Sequence, residues 1–328
     1  MTKVAWIGTG VMGGPMACHL QKKGYQVYAY NRSTEKAQAL AAQGVIPCDT
    51  IAQAVTDADF VFTIVGYPKD VEQVYLGEGG VFSAVKPGAV AVDMTTSSPE
   101  LAKRLYAAGQ EKGVSVLDAP VSGGDKGAKN AALSIMVGGD EDAFEKTKPL
   151  FACMGTSILL MGGPGAGQHT KACNQICVAG ATAAYTEALA YAIKVGLDPE
   201  KMLAAISGGA AGSWQLNNMA PRALHGDHAP GFYVKHFIKD MLIARDVPRS
   251  RAWNCPCWIR YWRNISRWPR MAWPMREPRR LFGGICRNIH TNNFVACGGE
   301  KFLHKIRHGK TNGSSIHTGM AADSFHPF

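Results

Sequence analysis

Nowhere in the 328 residues do 18 apolar positions run together, and the opening MTKVAWIGTG reaches glycine before it builds a hydrophobic run. A membrane span and a secretory leader are therefore not expected, and the chain reads as cytoplasmic, with no membrane partner. Acidic side chains nearly vanish from the end of the chain. Residues 248–328 hold 3 Asp and Glu against 14 Lys and Arg, whereas residues 1–247 hold 22 against 21. The net charge of +10 belongs to the tail, so it says nothing for nucleic-acid binding by the first 247 residues. Tryptophan is scarce until the same point: Trp253, Trp258, Trp262, Trp268 and Trp273 make five of the seven. Cys255 and Cys257 form C-P-C, not the C-x-x-C of a zinc or redox site, so no metal is expected. Cys18, Cys48, Cys153, Cys173 and Cys177 fall among expected helices and strands and read as reduced, mostly buried thiols.

From residue 3 to about 161, apolar runs alternate with amphipathic stretches. KVAWIG, QVYAY, DFVFTIV, AVAVDM and VSVLDAP read as buried strands; GVMGGPMACHLQKKG, STEKAQALAAQG and SPELAKRLYAAGQEKG read as the helices between them. That rhythm predicts an α/β fold, a doubly wound parallel sheet of Rossmann type. LSIMVGG and TSILLMG add two strands, and GGPGAG at 162–167 breaks the pattern. Beyond it, residues 168–196 read as one Ala-rich helix ended by Gly196, followed by a helix with Asp198 as N-cap and Pro199 in its first turn. The expected layout is a nucleotide-binding Rossmann domain over 1–163, an all-helical domain over 164–247, incomplete as written, and an aberrant basic tail over 248–328.

WIGTGVMGGPM places Gly8, Gly10 and Gly13 as G-x-G-x-x-G between a strand and a helix, with Val11 and Met12 inside the turn. The first glycine permits the tight turn, the second lets the backbone approach a pyrophosphate, and the third lets the helix pack on the strand. An ordinary Gly-rich turn is the competing reading, and the strand-turn-helix context favours a dinucleotide. After the second strand, Asn31, Arg32, Ser33 and Thr34 replace the Asp or Glu that holds the ribose hydroxyls of NAD. A neutral amide beside an arginine suits a 2′-phosphate, so NADP(H) is expected in preference to NAD(H), unless Arg32 merely sits on a solvated helix start.

GQHTKACNQ puts Lys171, Asn174 and Gln175 on one side of the long helix, just past the break. A desolvated lysine there can give a proton to a carbonyl oxygen as hydride arrives, and a solvated lysine is an equal reading. Ser122, Gly123 and Gly124 lie just past a strand end, where a hydroxyl and bare N–H groups could hold a carboxylate or simply form a flexible turn. Trp214 could wall a pocket or belong to the core.

The ordered motifs IGTGVMGGPMA, DAPVSGG, GAGQHTKACNQ and FIKDMLIA, spread over residues 3–245, make the chain resemble the β-hydroxyacid dehydrogenases, the family of 3-hydroxyisobutyrate dehydrogenase and tartronate semialdehyde reductase. The resemblance implies a Rossmann domain joined by a long helix to a helical domain, usually in homo-oligomers. It makes Lys171 the catalytic lysine, Asn174 a substrate ligand and Ser122, Gly123 and Gly124 the substrate-carboxylate loop. Lys239 matches the lysine that approaches the cofactor, and Thr95 the cofactor-side residue after the fifth strand. His19 and Gln175 replace asparagines common in the family. The implied reaction passes a hydride between NADP(H) and a short 3-hydroxy acid or semialdehyde. The alternative is a nucleotide-binding protein without turnover, a sensor, scaffold or decayed copy.

Pro248, Pro256, Pro269, Pro274 and Pro278 forbid regular helix where such a family would continue with helices. Read in another frame through synonymous codons, WNCPCWIRYW can encode ELPLLDTVL, and MAWPMREPRR can encode GLADEGTQA. Both resemble the family's C-terminal helices. A frameshift near Arg245 to Pro248 is therefore expected, with homo-oligomer formation in doubt for the chain as written. The rival reading is a basic, aromatic arm that binds nucleic acid.

Overall fold

The structure, a computed structural model, describes residues 1–227 and 232–246. Everything expected of residues 248–328, the frameshift and the basic arm included, lies outside the described residues.

The chain begins β1 (Lys3–Ile7), α1 (Gly13–Lys22), β2 (Gln26–Tyr30), α2 (Thr34–Gln38), β3 (Ile46–Cys48), α3 (Ile51–Val55) and β4 (Phe60–Thr63). It continues through α4 (Pro68–Leu76), α5 (Val81–Ala84), β5 (Val90–Asp93), α6 (Pro99–Glu111) and β6 (Ser115–Asp118). The six strands form one parallel sheet in the order β3-β2-β1-β4-β5-β6. The order reverses between β1 and β4, so a crevice opens at their carboxyl ends, where doubly wound sheets take ligands. Successive side chains of a strand point to opposite faces. Val4 and Trp6 of β1 accordingly join the core on one face with Phe62 and Val92, while Ala5 and Ile7 join that on the other with Val61 and Ala91.

The two later strands do not extend this sheet. β7 (Val121–Ser122), α7 (Gly124–Lys129), β8 (Leu133–Val137), α8 (Glu141–Phe151) and β9 (Gly155–Leu160) follow. β7 pairs antiparallel with β8 and β8 parallel with β9, in a separate three-stranded sheet. The strands β3 and β7 and the helices α3, α5 and α7, of two to six residues, are too brief for an apolar period to register, whereas α4 and α8, also outside the expected elements, do carry one: Val71 and Tyr75 in α4, and Phe144, Leu150 and Phe151 in α8, are buried at helical spacing.

Helical structure then takes over with α9 (Ala166–Lys194), α10 (Pro199–Ile206), a π-helical turn Gln215–Met219, α11 (Ala220–Leu224) and α12 (Val234–Arg245). Asp198 caps α10 as expected, its carboxylate accepting from the Glu200 and Lys201 N–H groups. Gly196, at φ +77°, ends α9 in the left-handed region that favours glycine. By length and composition α9 could cross a bilayer, yet its first turns carry the polar residues Gln168, Lys171 and Gln175 on the buried side. Its joint with α12 has a small core of Ala179, Met241 and Ala244.

One expectation is corrected. Of the five cysteines among the described residues only Cys18 is buried; Cys173 and Cys177 are exposed, because they lie on the outer side of α9, opposite Lys171 and Gln175.

Phe62 is fully buried between Trp6, stacked on it at 5.4 Å, and Phe151, edge-on at 6.0 Å. Phe62→Ala should cost about 3–5 kcal/mol, seen as a lower urea midpoint of tryptophan fluorescence with an unchanged fold.

Candidate active site

The loop after β1 is shaped by two glycines that admit no side chain. A Cβ on Gly8, at φ +100°, would meet Ile64 O at 2.2 Å, and one on Gly13 would meet Gly8 O at 2.0 Å. A Cβ on Gly10 would meet nothing within 4 Å, so the space over Gly10 is open on the crevice side. Thr9 Oγ1 is buried there with no hydrogen-bond partner among the described residues. This bare-backbone turn at the start of α1, with an orphaned hydroxyl, fits a dinucleotide pyrophosphate. Met12 packs on the core and Val11 is exposed.

Asn31 is pinned at the end of β2. Its Oδ1 accepts from Thr9 N at 3.0 Å and its Nδ2 donates to Ser33 O at 3.0 Å. Arg32 extends into solvent, its side chain 90 % exposed and 3.9 Å from Asp70, a loose pair that leaves the guanidinium available. Ser33 is the N-cap residue of α2.

The second half of the site is built around the start of α9. Asp118, at the end of β6, accepts from Gly165 N at 2.7 Å and Gln168 N at 2.8 Å, which ties the helix's free N–H groups to the sheet. Glycines make that approach possible: a Cβ on Gly167 would meet Met136 O at 2.4 Å and Asp118 O at 2.6 Å. Burial lifts the Asp118 carboxyl to about 6, opposed by the N–H groups of Gly165 and Gln168 and furthered by Asp93. Burial lifts Asp93 to about 6 as well, against hydrogen bonds from Thr95 and Thr63.

One turn further on, buried Lys171 donates from Nζ to Val121 O at 2.8 Å, beside Ser122. Burial lowers its pKa to about 8, with Asp240 pulling it back up and Lys239 pushing it further down. Ser122 is half-buried at the end of β7, and Gly123 and Gly124 follow with φ of +131° and +62°, left-handed backbone that favours glycine. Asn174 donates to Gln175 Oε1 at 2.7 Å, and Gln175 donates to Asp240 Oδ2 at 2.6 Å. Asp240 Oδ1 pairs with Lys239 Nζ at 3.0 Å, and Lys239 also donates to Thr96 O. Thr95, buried beside it, accepts from Val65 N at 2.9 Å.

Most of the residues expected at the site are thus joined: Lys171 to the Ser122 loop, and Asn174 to Lys239 and the segment carrying Thr95. Trp214 is not core, standing 56 % exposed before the π-helical turn. Three buried polar residues were missed: Asp118, Gln168 and Asp240. Asp118 lies inside the quoted DAPVSGG, Gln168 inside GAGQHTKACNQ and Asp240 inside FIKDMLIA. For Asp118 the available signal was a carboxylate closing an apolar strand, VSVLD, which must find partners when buried.

Residues 3–163 match the family model for the NAD-binding domain of 6-phosphogluconate dehydrogenase, and residues 165–259 that for the NAD-binding region of NADP-dependent 3-hydroxyisobutyrate dehydrogenase. The chain is 40 % identical over 254 residues to 2-hydroxy-3-oxopropionate reductase of Escherichia coli, covering 77 % of itself and 87 % of the relative. It belongs to the 3-hydroxyisobutyrate dehydrogenase family. An uncharacterized oxidoreductase of Bacillus subtilis, YkwC, is 52 % identical over 241 residues, 74 % of this chain and 84 % of that one. Among solved structures, Mycobacterium tuberculosis 3-hydroxyisobutyrate dehydrogenase with L-serine superposes with a TM-score of 0.78 at 29 % identity, over 87 % of this chain and 99 % of that one. As a member of this family the protein is an NAD(P)-dependent hydroxyacid oxidoreductase, and the expected Rossmann sheet followed by helices is its fold.

The glycines separate fold from binding. Gly10→Ala should leave the melting temperature unchanged and weaken dinucleotide binding more than about tenfold, or about 1.4 kcal/mol, in a fluorescence titration. Gly13→Ala should lower both.

Proposed function

We propose that the protein interconverts a short 3-hydroxy acid and its semialdehyde with a preference for NADP(H). Lys171 carries this reading: a buried ammonium, held on Val121 O, stands beside a hydroxyl and two glycines able to take a carboxylate. When bound, the nicotinamide gives or accepts the hydride. The protein's own part is to hold the acid and move the proton. Ser122 and the N–H groups of Gly123 and Gly124 orient the carboxylate, Asn174 holds the substrate, and Lys171 donates a proton to the carbonyl oxygen in reduction and takes it back in oxidation. Thr95 and Lys239 line the cofactor side, and Trp214 edges the substrate side. The relatives' names support the size class: 2-hydroxy-3-oxopropionate and 3-hydroxyisobutyrate are both short acids with their reacting oxygen at C3.

The cofactor preference rests on the end of β2. Gly8, Gly10, Val11, Met12 and Gly13 form the pyrophosphate turn, and Asn31, Arg32 and Ser33 present an amide, a guanidinium and a hydroxyl where the 2′-substituent falls. No carboxylate stands at these three positions to repel a phosphate.

We also propose the frameshift near Arg245 to Pro248. Its support is the change of composition at that point, where tryptophan, arginine and proline accumulate and acidic residues nearly vanish. Sequencing the gene across that point tests it: a restored frame reading DEGTQA supports it, and the frame as written overturns it.

Lys171→Ala should lower kcat by about 10²–10⁴ while NADPH binding holds, and undiminished NADPH oxidation would refute the assignment. With the lysine titrating near pH 8, kcat/KM for reduction, which needs the charged form, should fall above that pH. The reverse reaction, which needs the neutral amine, should rise through it. Arg32→Ala should raise the Kd for NADPH about tenfold and leave that for NADH unchanged, as isothermal titration would show.

A further inference from the structure

Gln168 has no part in the chemistry just proposed, yet it is among the most deeply buried polar side chains of the molecule, 1 % exposed. It sits on the first turn of α9, one turn before Lys171 and on the same side, and its amide is used at both ends. Oε1 accepts from Ser97 N at 2.8 Å, and Nε2 donates to Thr95 O at 2.8 Å. Between those two contacts, Thr96 O takes the Lys239 ammonium. The main chain of residues 95–97, which leaves β5 at the crevice and carries Thr95, is therefore gripped at three consecutive residues, twice by α9 and once by α12.

The grip is rigid at its other end too, because the Gln168 N–H is held by Asp118 at the end of β6. A displacement of residues 95–97 would have to break bonds to the same helical turn that aims Lys171. Only an uncharged group that both accepts and donates can satisfy a main-chain N–H and a main-chain carbonyl two residues apart, and an amide of this length does so. Swapping such a group for one that cannot leaves buried partners unpaired, which is costly.

We propose that Gln168 is a positioning residue for hydride transfer: its side-chain amide locks the cofactor-side segment 95–97 to the catalytic helix and so fixes the separation of Lys171 from the nicotinamide side of the crevice. The inference rests on the reaction proposed above. Misplacement of reacting groups by about 1 Å can cost about a hundredfold in rate, so the main effect falls on kcat and only a small one on cofactor affinity.

Two near-isosteric variants test this. Gln168→Met removes both bonds, and Gln168→Glu can keep the bond from Ser97 N but sets a carboxylate against Thr95 O while ionised. Protonated, that carboxyl accepts and donates as the amide does, and burial at this position raises its pKa into a measurable range. The charged groups around it are Asp118 on its own N–H, Asp93 on Thr95 N, Lys239 on Thr96 O, and Lys171 one turn along. Dividing each variant's kcat by that of the unaltered protein at the same pH removes their shared titrations.

The expected result is a kcat about 30–100-fold lower for Gln168→Met at every pH, with the Kd for NADPH within about threefold. For Gln168→Glu the ratio should recover by about tenfold or more from pH 8.5 to pH 6. Variants within about threefold of the unaltered kcat would overturn the proposal. So would a joint loss of NADPH affinity and melting temperature in Gln168→Met, which would make the residue a fold element only. If the unaltered protein turns over no short 3-hydroxy acid, the reaction proposed above fails by itself. Amide exchange at Ser97 then still decides whether the grip exists, and equal protection in Gln168→Met overturns it.

Discussion

The Asp118 carboxylate at the head of α9 is the constraint on which the site depends. A helix of 29 residues presents unsatisfied N–H groups at its start, and a buried helix end needs partners for them. Asp118 supplies both oxygens from the end of a central-sheet strand. A hydrogen bond to a charged group contributes about 1.5–3 kcal/mol, and here two of them offset only part of the desolvation, which still lifts the carboxyl to about 6. Gly138 and Gly167 matter for the same reason: any side chain on either would wedge the helix off the strand. Lys171 and Asn174 inherit their positions from that single docking.

From there the polar groups are arranged as a chain through an otherwise apolar joint. Hydrogen bonds link Asn174 to Gln175, Gln175 to Asp240 and Lys239 to Thr96 O, and an ion pair joins Asp240 to Lys239. Buried charges are tolerated when paired and hydrogen-bonded, and breaking such a set is costly because it strands a charge. Two lysines share the field of one aspartate, so Lys171 keeps less than full compensation for its burial and titrates near 8. A lysine poised this close to neutrality can give and take a proton, which the reversible chemistry of a hydroxy acid and its aldehyde requires.

The alternation of apolar runs was enough to reveal five strands of the main sheet, since buried parallel strands read as apolar runs bounded by turn residues, and the long helix was legible from its Ala-rich composition and its stop at Gly196. The sixth strand, β3, is three residues long and bears Pro47, and the second sheet was legible only as strands without partners, because pairing is a long-range fact. At the site, Lys171, Asn174 and Ser122 announced themselves by chemical type next to glycine-rich breaks. Asp118, Gln168 and Asp240 did not, because their hydrogen-bond partners lie 47–73 residues away and are mostly main-chain groups that any sequence would offer. The thiols of Cys173 and Cys177 show the converse error: residue type suggested burial, and the helix face decided otherwise.

The central claim is that Lys171 delivers the proton to the reacting oxygen. A crystal structure with NADP⁺ and 3-hydroxyisobutyrate tests it most directly. The account predicts Lys171 Nζ within about 2.6–3.2 Å of the C3 hydroxyl, with the substrate carboxylate on Ser122 and the N–H groups that follow it. A hydroxyl held by another side chain, with Lys171 still on Val121 O alone, would contradict it.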